Sequence, residues 1–138
     1  MAYRRDWIQP QVGPMGFANT QKVIGRVVNI TVADNVITNT IGAFRVPAGF
    51  TVTGIIAIVT DMDTGATGTI TVGDAASGTR YITTPLSIQA ASTSTTLAAT
   101  GLLFLNTVDT EILITIAAAS TTPVAGTVTL YLIGFMAQ

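Results

Sequence analysis

From Lys22 onward the chain alternates β-branched residues with threonine and small residues, and short clusters of glycine, proline, aspartate and asparagine interrupt the alternation. An alternation with a period of two places successive side chains on opposite faces of a strand, and the interrupting clusters have turn-forming chemistry. Threonine suits the pleated backbone through its β-branch and hydrates an exposed face through its hydroxyl. The sequence therefore predicts an all-β body with a polar but uncharged surface.

The pattern predicts about eight strands. They cover residues 23–32, 36–46, 50–60, 69–72, 80–83, 102–105, 111–117 and 127–135. We expect the first two to pair as neighbours and the third, apolar at every position from 55 to 59, to be buried on both faces. Residues 86–100 are rich in serine, threonine and alanine and predict a long loop with room for one helical turn. Long loops between some strands favour a jelly-roll-like or Greek-key β-sandwich over an up-and-down barrel.

Residues 1–20 have a different composition, with three aromatic residues, two prolines and two glycines and no sustained periodicity. They predict an extended N-terminal arm, followed by one β-sandwich domain over residues 21–138. Tryptophan, tyrosine and arginine dominate binding hot spots, so the arm is the predicted partner-binding element. We expect it to dock on another subunit; the alternative is that it folds back onto its own sandwich. Its candidate residues are Tyr3, Arg4, Arg5, Trp7 and Phe17.

Composition restricts the chemistry that this chain can perform. It contains no histidine and no cysteine, and only 9% of its residues are charged. Imidazole bases, thiolate nucleophiles and nearly all zinc, haem and iron–sulfur sites are thereby removed. A net charge of -1 offers no basic field for nucleic acid or an anionic membrane, and no apolar run is long enough for a spanning helix. We therefore expect no enzyme, no cofactor, no metal site, and neither nucleic acid nor membrane as a partner.

Two motifs nevertheless deserve a chemical interpretation. Asp61 and Asp63 begin a D-x-D-x-G pattern like that of a calcium loop, but the twelfth position carries Val72 in place of a bidentate acid. A solvated turn is favoured, and cation binding by the two aspartates stays open.

Asp109 and Glu111, two residues apart, have the crudest spacing of a paired-carboxylate glycosidase site. No sugar-stacking aromatic lies nearby in the sequence, so a turn before a strand is favoured.

The glycine-containing segment 72–80 is a candidate phosphate loop only if it opens a helix, and a strand is predicted after it. We expect Arg80 and Asp74 to form a surface ion pair that braces this loop.

The strand edges of the body lack the lysines that discourage strand association, so we expect partner subunits to cover them. The simplest closed assembly of this kind is cyclic, and a homotrimer is predicted.

The sequence V-P-A-G-F-T-V-T-G at residues 46–54, T-G-T-I-T-V-G-D at 67–74 and R-Y-I at 80–82 resembles small β-sandwich virion proteins of tailed bacteriophages. The similarity is greatest to capsid decoration or cement proteins. It implies a non-enzymatic protein, made in the host cytoplasm, that bridges and stabilises major capsid subunits on the head exterior. By this resemblance the arm contacts the capsid shell or a neighbouring cement subunit.

A different function, which the residues leave open, is a receptor- or carbohydrate-binding module of a head fibre or tail. A sugar platform needs exposed aromatic side chains on one surface. Tyr81 and Tyr131 are the candidates, and this alternative predicts that both are exposed side by side.

Overall fold

Two four-stranded antiparallel sheets make up the computed structural model, which describes residues 21–136. The strands are β1 (Lys22–Ile30), β2 (Thr40–Val46), β3 (Phe50–Val59), β4 (Thr69–Gly73), β5 (Ile82–Ser87), β6 (Ser92–Ser94), β7 (Thr110–Ala118) and β8 (Gly126–Met136). Their order is β1-β8-β3-β6 in one sheet and β2-β7-β4-β5 in the other. Two sheets of four strands with repeated crossings between them form a jelly roll. The predicted all-β sandwich is confirmed.

The core lies between the two sheets and is filled by alternate residues of the central strands. Four strands, β3, β4, β7 and β8, have a hydrogen-bonded neighbour on each side, so their backbone groups are paired while their inner side chains leave water. Burying one such side chain contributes about 1.5–3 kcal/mol. The fully buried side chains of β7 and β8 are Ile112, Ile114 and Ile116, and Val128, Leu130 and Leu132. The two sets follow the period of two that the sequence predicted.

The predicted pairing of the first two strands is wrong, because β1 pairs with β8 and β2 pairs with β7. Between them, a single 3-10 turn (Val32–Asp34) is closed by reciprocal hydrogen bonds between Thr31 and Asp34. Thr38 then adopts a positive φ of 68°. These two features turn the chain from one sheet into the other, and β2 consequently begins at Thr40, not at residue 36.

Three further expectations from the sequence are corrected. Strand β3 is buried on one face only, since Ile58 on its other face is 42% exposed. The predicted loop over residues 86–100 contains β6, which pairs with the end of β3. Residues 102–105 form a turn with a single bridge from Leu105 to Thr51 in place of the predicted strand. Pro85 lies within β5, an edge strand, where the missing N–H is tolerated.

The loops gather at two ends of the sandwich. The β1–β2, β3–β4, β5–β6 and β7–β8 loops meet at one end, where the Met62 N–H donates to the Ile88 carbonyl over 2.9 Å. The other three loops meet at the opposite end, where the Gly49 N–H donates to the Asn106 carbonyl over 2.6 Å. We call these the Asp63 end and the Arg80 end after the charged side chains that organise them.

The predicted arm, with Tyr3, Arg4, Arg5, Trp7 and Phe17, lies outside the described residues. The boundary proposed at residue 20 therefore stays a prediction. Within residues 21–136, no helix has the length and apolar character needed to span a membrane.

Candidate interaction surfaces

A buried carboxylate organises the Asp63 end. The Asp63 oxygens accept hydrogen bonds from the backbone N–H groups of Gly65 and Gly68, at 2.8 Å each, and of Thr67 and Thr122, at 3.2 and 3.3 Å. Burial by itself raises the pKa of Asp63. The four N–H donors lower this pKa by a larger amount, so the pKa of Asp63 lies below its usual value. Asp63 is thus a buried anion that joins two loops, and the predicted solvated turn is wrong for this residue.

The same hydrogen bonds explain the D-x-D-x-G pattern without an ion. Both oxygens of Asp63 already face N–H donors, and an Asp61 oxygen accepts the Asp63 N–H over 3.2 Å. Residues 21–136 contain no group of three or more acidic side chains that could hold a metal. The pattern therefore serves to shape the loop.

At the opposite end, a second aspartate fixes the β4–β5 loop. Asp74 accepts the backbone N–H groups of Ala76 and Ser77 over 2.9 and 2.8 Å and the Nε–H of Arg80. The Arg80 guanidinium lies 3.8 Å from the centre of the Phe104 ring, a cation–π contact between two loops. The predicted Arg80–Asp74 pair is therefore present. It is not a surface pair, however, because the two side chains are only 16% and 4% exposed.

Next to Phe104, an apolar ridge projects from the β6–β7 loop. Leu103, which is 62% exposed, adopts a left-handed φ of 58°. This backbone costs an L-amino acid about 1–2 kcal/mol. Two backbone hydrogen bonds hold it: the Leu103 N–H donates to the Val52 carbonyl over 2.7 Å, and the Val52 N–H donates to the Phe104 carbonyl over 3.1 Å. We call the four exposed side chains of this loop the Leu103 ridge; they are Leu102, Leu103, Leu105 and Val108.

The sheet β1-β8-β3-β6 carries a second apolar surface on its outer side, here called the outer face. Three rows cross β1, β8 and β3, and no position in them carries a charge. The rows are Val23–Ile133–Gly54, Gly25–Tyr131–Ile56 and Val27–Thr129–Ile58. The Tyr131 ring covers the backbone of Gly25, where an added Cβ would lie 2.1 Å from a ring carbon.

All large apolar side chains that are exposed in the described part of the chain fall into three groups. Three lie on the outer face and four form the Leu103 ridge. Four more belong to loops at the Asp63 end, namely Val32, Val36, Ile37 and Val124. Grouped exposed apolar side chains mark protein interaction sites, whereas single ones are ordinary.

The candidate paired carboxylates share an open groove at the Arg80 end. Asp109 and Glu111 line this groove of about 350 Å³ together with Asp74 and Arg80. Asp74 is held by Arg80, and an Asp109 oxygen accepts the Ala48 N–H of the β2–β3 turn over 3.0 Å. The turn interpretation of Asp109 therefore explains its position, and Glu111 is left without a second free carboxylate beside it in the groove.

The sugar platform expected for a fibre module is not formed by its two candidates. Tyr81 is fully buried, and its hydroxyl lies 3.5 Å from the Asn106 amide oxygen. Burial raises the pKa of Tyr81 accordingly. Tyr131 lies on the outer face of the other sheet. The predicted side-by-side exposure of the two tyrosines is wrong.

Proteins similar to this chain are found among solved structures. No family model matches it, and no curated protein matches it. Among solved structures, a chain of the cyanophage Pam1 capsid asymmetric unit is similar, with 28% identity, a TM-score of 0.68 and 88% of both chains covered. The chain is similar to a protein of a bacteriophage capsid. The resemblance to phage virion proteins that the sequence motifs suggested is thereby confirmed.

Two further capsid structures show the same fold at lower identity. A chain in the capsid of Ralstonia phage GP4 has 19% identity and a TM-score of 0.70, with 85% of this chain and 86% of that chain covered. A chain in the acidic stable capsid of Helicobacter pylori bacteriophage KHP30 has 11% identity and a TM-score of 0.53, with coverage of 86% and 95%.

Proposed function

We propose that this chain is a non-enzymatic structural protein of a tailed-phage virion that acts as a capsid cement or decoration protein. It bridges and stabilises major capsid subunits on the exterior of the head. The observation that carries the proposal is the 28% identity to a chain of the Pam1 capsid asymmetric unit over 88% of both chains. That similarity supports a structural role in a virion, and the cement role rests on the surfaces described above.

The Leu103 ridge has the properties of a preformed contact. Its backbone is tied to β3 by hydrogen bonds, and Arg80 packs on Phe104 beside it, so little conformational freedom remains to be lost on binding. Its exposed side chains are apolar, and burying apolar area contributes about 25 cal/mol per Å². Leu103 keeps a strained left-handed backbone while its side chain is exposed to water. Strained residues of this kind cluster at binding sites, which supports a role for Leu103 in contacting a partner.

Cement acts by mass action in this proposal. A protein that binds the assembled shell and not the separated subunits stabilises the shell. We propose a homotrimer, because three linked copies bind with avidity even where each contact is weak. The arm residues Tyr3, Arg4, Arg5, Trp7 and Phe17 are proposed as further contacts to the shell or to a neighbouring copy.

Binding to empty shells of the major capsid protein from the same phage tests the proposal. The wild-type chain is expected to co-sediment with the shells in a saturable manner and to raise the temperature at which they disrupt. The Leu103→Asp variant places a charge on the ridge and should lose most of this binding. Thr84→Asp, at an exposed position of edge strand β5, is the matched control and should bind like the wild type. A wild-type chain that stays in the supernatant contradicts the proposal.

A further inference from the structure

The four edge strands of the two sheets differ in how they are protected against pairing with another strand. Strand β2 contains a bulge, since Gly42 and Phe44 pair with consecutive residues of β7. Strand β5 contains Pro85 and an irregular register, and β6 has only three residues. Bulges, prolines and short length prevent further pairing at a sheet edge. Strand β1 has none of them, because its nine residues pair with β8 in one unbroken register.

The free edge of β1 offers main-chain hydrogen bonds to an added strand. In an antiparallel sheet, alternate residues of an edge strand direct their N–H and C=O groups away from the neighbouring strand. Within residues 21–136, no strand pairs with β1 on the side away from β8. An extended segment bound at such an edge gains affinity from main-chain hydrogen bonds and specificity from its alternate side chains. The side chains of β1 therefore indicate which segment fits.

Two cations lie on the inner side of β1. Arg26 is level with Leu130 and Ala57, which are both buried in the core, so its side chain leaves the strand on the inner side. Lys22, four residues earlier, leaves on the same side because side chains alternate with a period of two. Both cations are exposed, and neither forms an ion pair with another described residue. They disfavour a cationic or neutral neighbouring strand and favour an acidic one, since opposite charges attract across strands.

The outer side of β1 is apolar along the same stretch. Val23 and Val27 are 60% and 52% exposed and alternate with the two cations. An added strand would place one set of its side chains beside these valines and the other set beside Lys22 and Arg26. The segment that fits β1 therefore alternates apolar with polar residues and carries two acidic residues four positions apart.

A second copy of this chain does not supply such a segment. Glu111 is the only acidic residue in the eight described strands, and it lies in β7, which is paired on both sides. The other edge strands carry one cation, Arg45 of β2, and no anion. Residues 1–20 contain two arginines and a single acidic residue. Charge complementarity therefore points to a different protein.

The position of β1 on the sandwich favours the capsid shell as the source of the segment. Lys22 and Val52 both pair with Gly134, so the cationic end of β1 lies at the Arg80 end. At about 4.8 Å between neighbouring strands, the backbones of Lys22 and Val52 lie about 10 Å apart. Val52 is also the residue whose backbone holds Leu103. A shell that contacts the Leu103 ridge is therefore close enough to extend a segment of its subunits along β1.

We infer that β1 binds an extended acidic segment of the major capsid protein as a fifth strand of its sheet. The inference deepens the proposed function, since it rests on binding to the shell and names the strand that binds and the chemistry of the segment that is bound. The segment pairs with β1 through main-chain hydrogen bonds. Its acidic side chains lie beside Lys22 and Arg26, and its apolar side chains lie beside Val23 and Val27.

Hydrogen–deuterium exchange of the chain, free and bound to empty shells, tests whether β1 gains a neighbouring strand. The β1 amides that face away from β8 are open in the free chain and should exchange about tenfold more slowly in the complex. Residues 40–46 of β2, the edge strand with a bulge, are the internal control and should keep their exchange rate. Shells that bind the chain without slowing exchange in β1 would overturn the inference and leave the proposed function intact.

Charge reversal tests the selectivity of the edge. Arg26→Glu should weaken shell binding by about fivefold, because it replaces an attraction with a repulsion. Arg45→Glu changes the net charge equally at an exposed position of β2 and should bind like the wild type. Both arginines are exposed, so both variants should keep the wild-type far-UV circular dichroism; if either unfolds, Arg26→Gln and Arg45→Gln supply the same comparison. Equal binding by the two variants would contradict the inference.

A synthetic peptide tests the edge in the absence of shells. The peptide Thr-Glu-Val-Thr-Val-Glu-Val-Thr has the required alternation, and the same peptide with lysine in place of glutamate is its control. Nuclear magnetic resonance titration of the chain should show about fivefold tighter binding of the acidic peptide, with shifts in β1, and Arg26→Glu should remove this preference. Equal affinity for the two peptides, or binding of neither, would overturn the inference.

The two kinds of experiment separate this inference from the proposed function. Shell binding without a preference for the acidic peptide contradicts only the inference. A preference for the acidic peptide without shell binding contradicts the proposed function and the assignment of the segment to the shell, and it supports β1 as a site for an acidic strand.

Discussion

Replacing Leu103 should reverse the ordinary stability order of alanine and glycine. In most positions glycine is less stable than alanine by about 0.5–1 kcal/mol, because it loses more backbone freedom on folding. Leu103, however, has a φ of 58°, a conformation that costs a residue with a Cβ about 1–2 kcal/mol and costs glycine nothing. Both substitutions remove the same partly exposed side chain, so that loss cancels between them. The Leu103→Gly variant should therefore be more stable than Leu103→Ala by about 0.5–1 kcal/mol.

Leu102 provides the matched control for this comparison. It is the neighbouring ridge residue, is 55% exposed, and does not have a positive φ. Leu102→Gly should accordingly be less stable than Leu102→Ala, in the usual order. Urea denaturation of the four variants, followed by far-UV circular dichroism, measures the free energies of unfolding. If alanine is the more stable residue at both positions, Leu103 does not hold a strained backbone and the argument for a preformed ridge fails.

Three further predictions concern the loops and the outer face. Asp63→Asn should lower the urea midpoint far more than Asp61→Asn, because the Asp63 carboxylate accepts four backbone N–H groups and Asp61 only one; equal effects would contradict the role of Asp63. The folded pKa of Asp63 lies below its unfolded value of about 3.9, so its contribution to stability is complete above that pH and is lost as the pH falls through the folded pKa. Stability measured against pH should show this acid loss in the wild type and a smaller one in Asp63→Asn. Gly25→Ala should destabilise the fold by about 1–3 kcal/mol, since its Cβ would lie 2.6 Å from the Leu130 carbonyl oxygen, whereas Gly54→Ala meets only ordinary contacts at 3.5 Å. Thermal melting of the two alanine variants compares them, and similar losses would refute the close packing at Gly25.

The sandwich could be predicted from the sequence because burial on one face leaves a visible period of two. Strands β7 and β8 show this period throughout, and their alternate isoleucines, valine and leucines form the core. Strand pairing was not visible in the same way. The β1–β2 connection crosses between sheets through the Thr31–Asp34 turn, and the sequence contains no signal for which of two sheets the next strand joins.

The surfaces were missed because an apolar residue on a strand gives the same sequence signal whether it faces the core or a partner. Residues 55–59 predicted burial on both faces, and the structure exposes Ile58. Residues 102–105 predicted a strand, but hydrogen bonds to Val52, far away in the sequence, fold them into the Leu103 ridge. The role of Asp63 likewise depends on donors from two loops that only the fold brings together.

Quantitative mass spectrometry of purified phage particles tests the central claim most directly. A cement protein should be present at a fixed molar ratio to the major capsid protein, and mild chaotropic treatment should release it and leave intact shells that disrupt at a lower temperature. Adding the purified chain back should restore both the ratio and the disruption temperature. Particles that lack the chain, or shells whose disruption temperature does not change when it is removed and restored, would contradict the account.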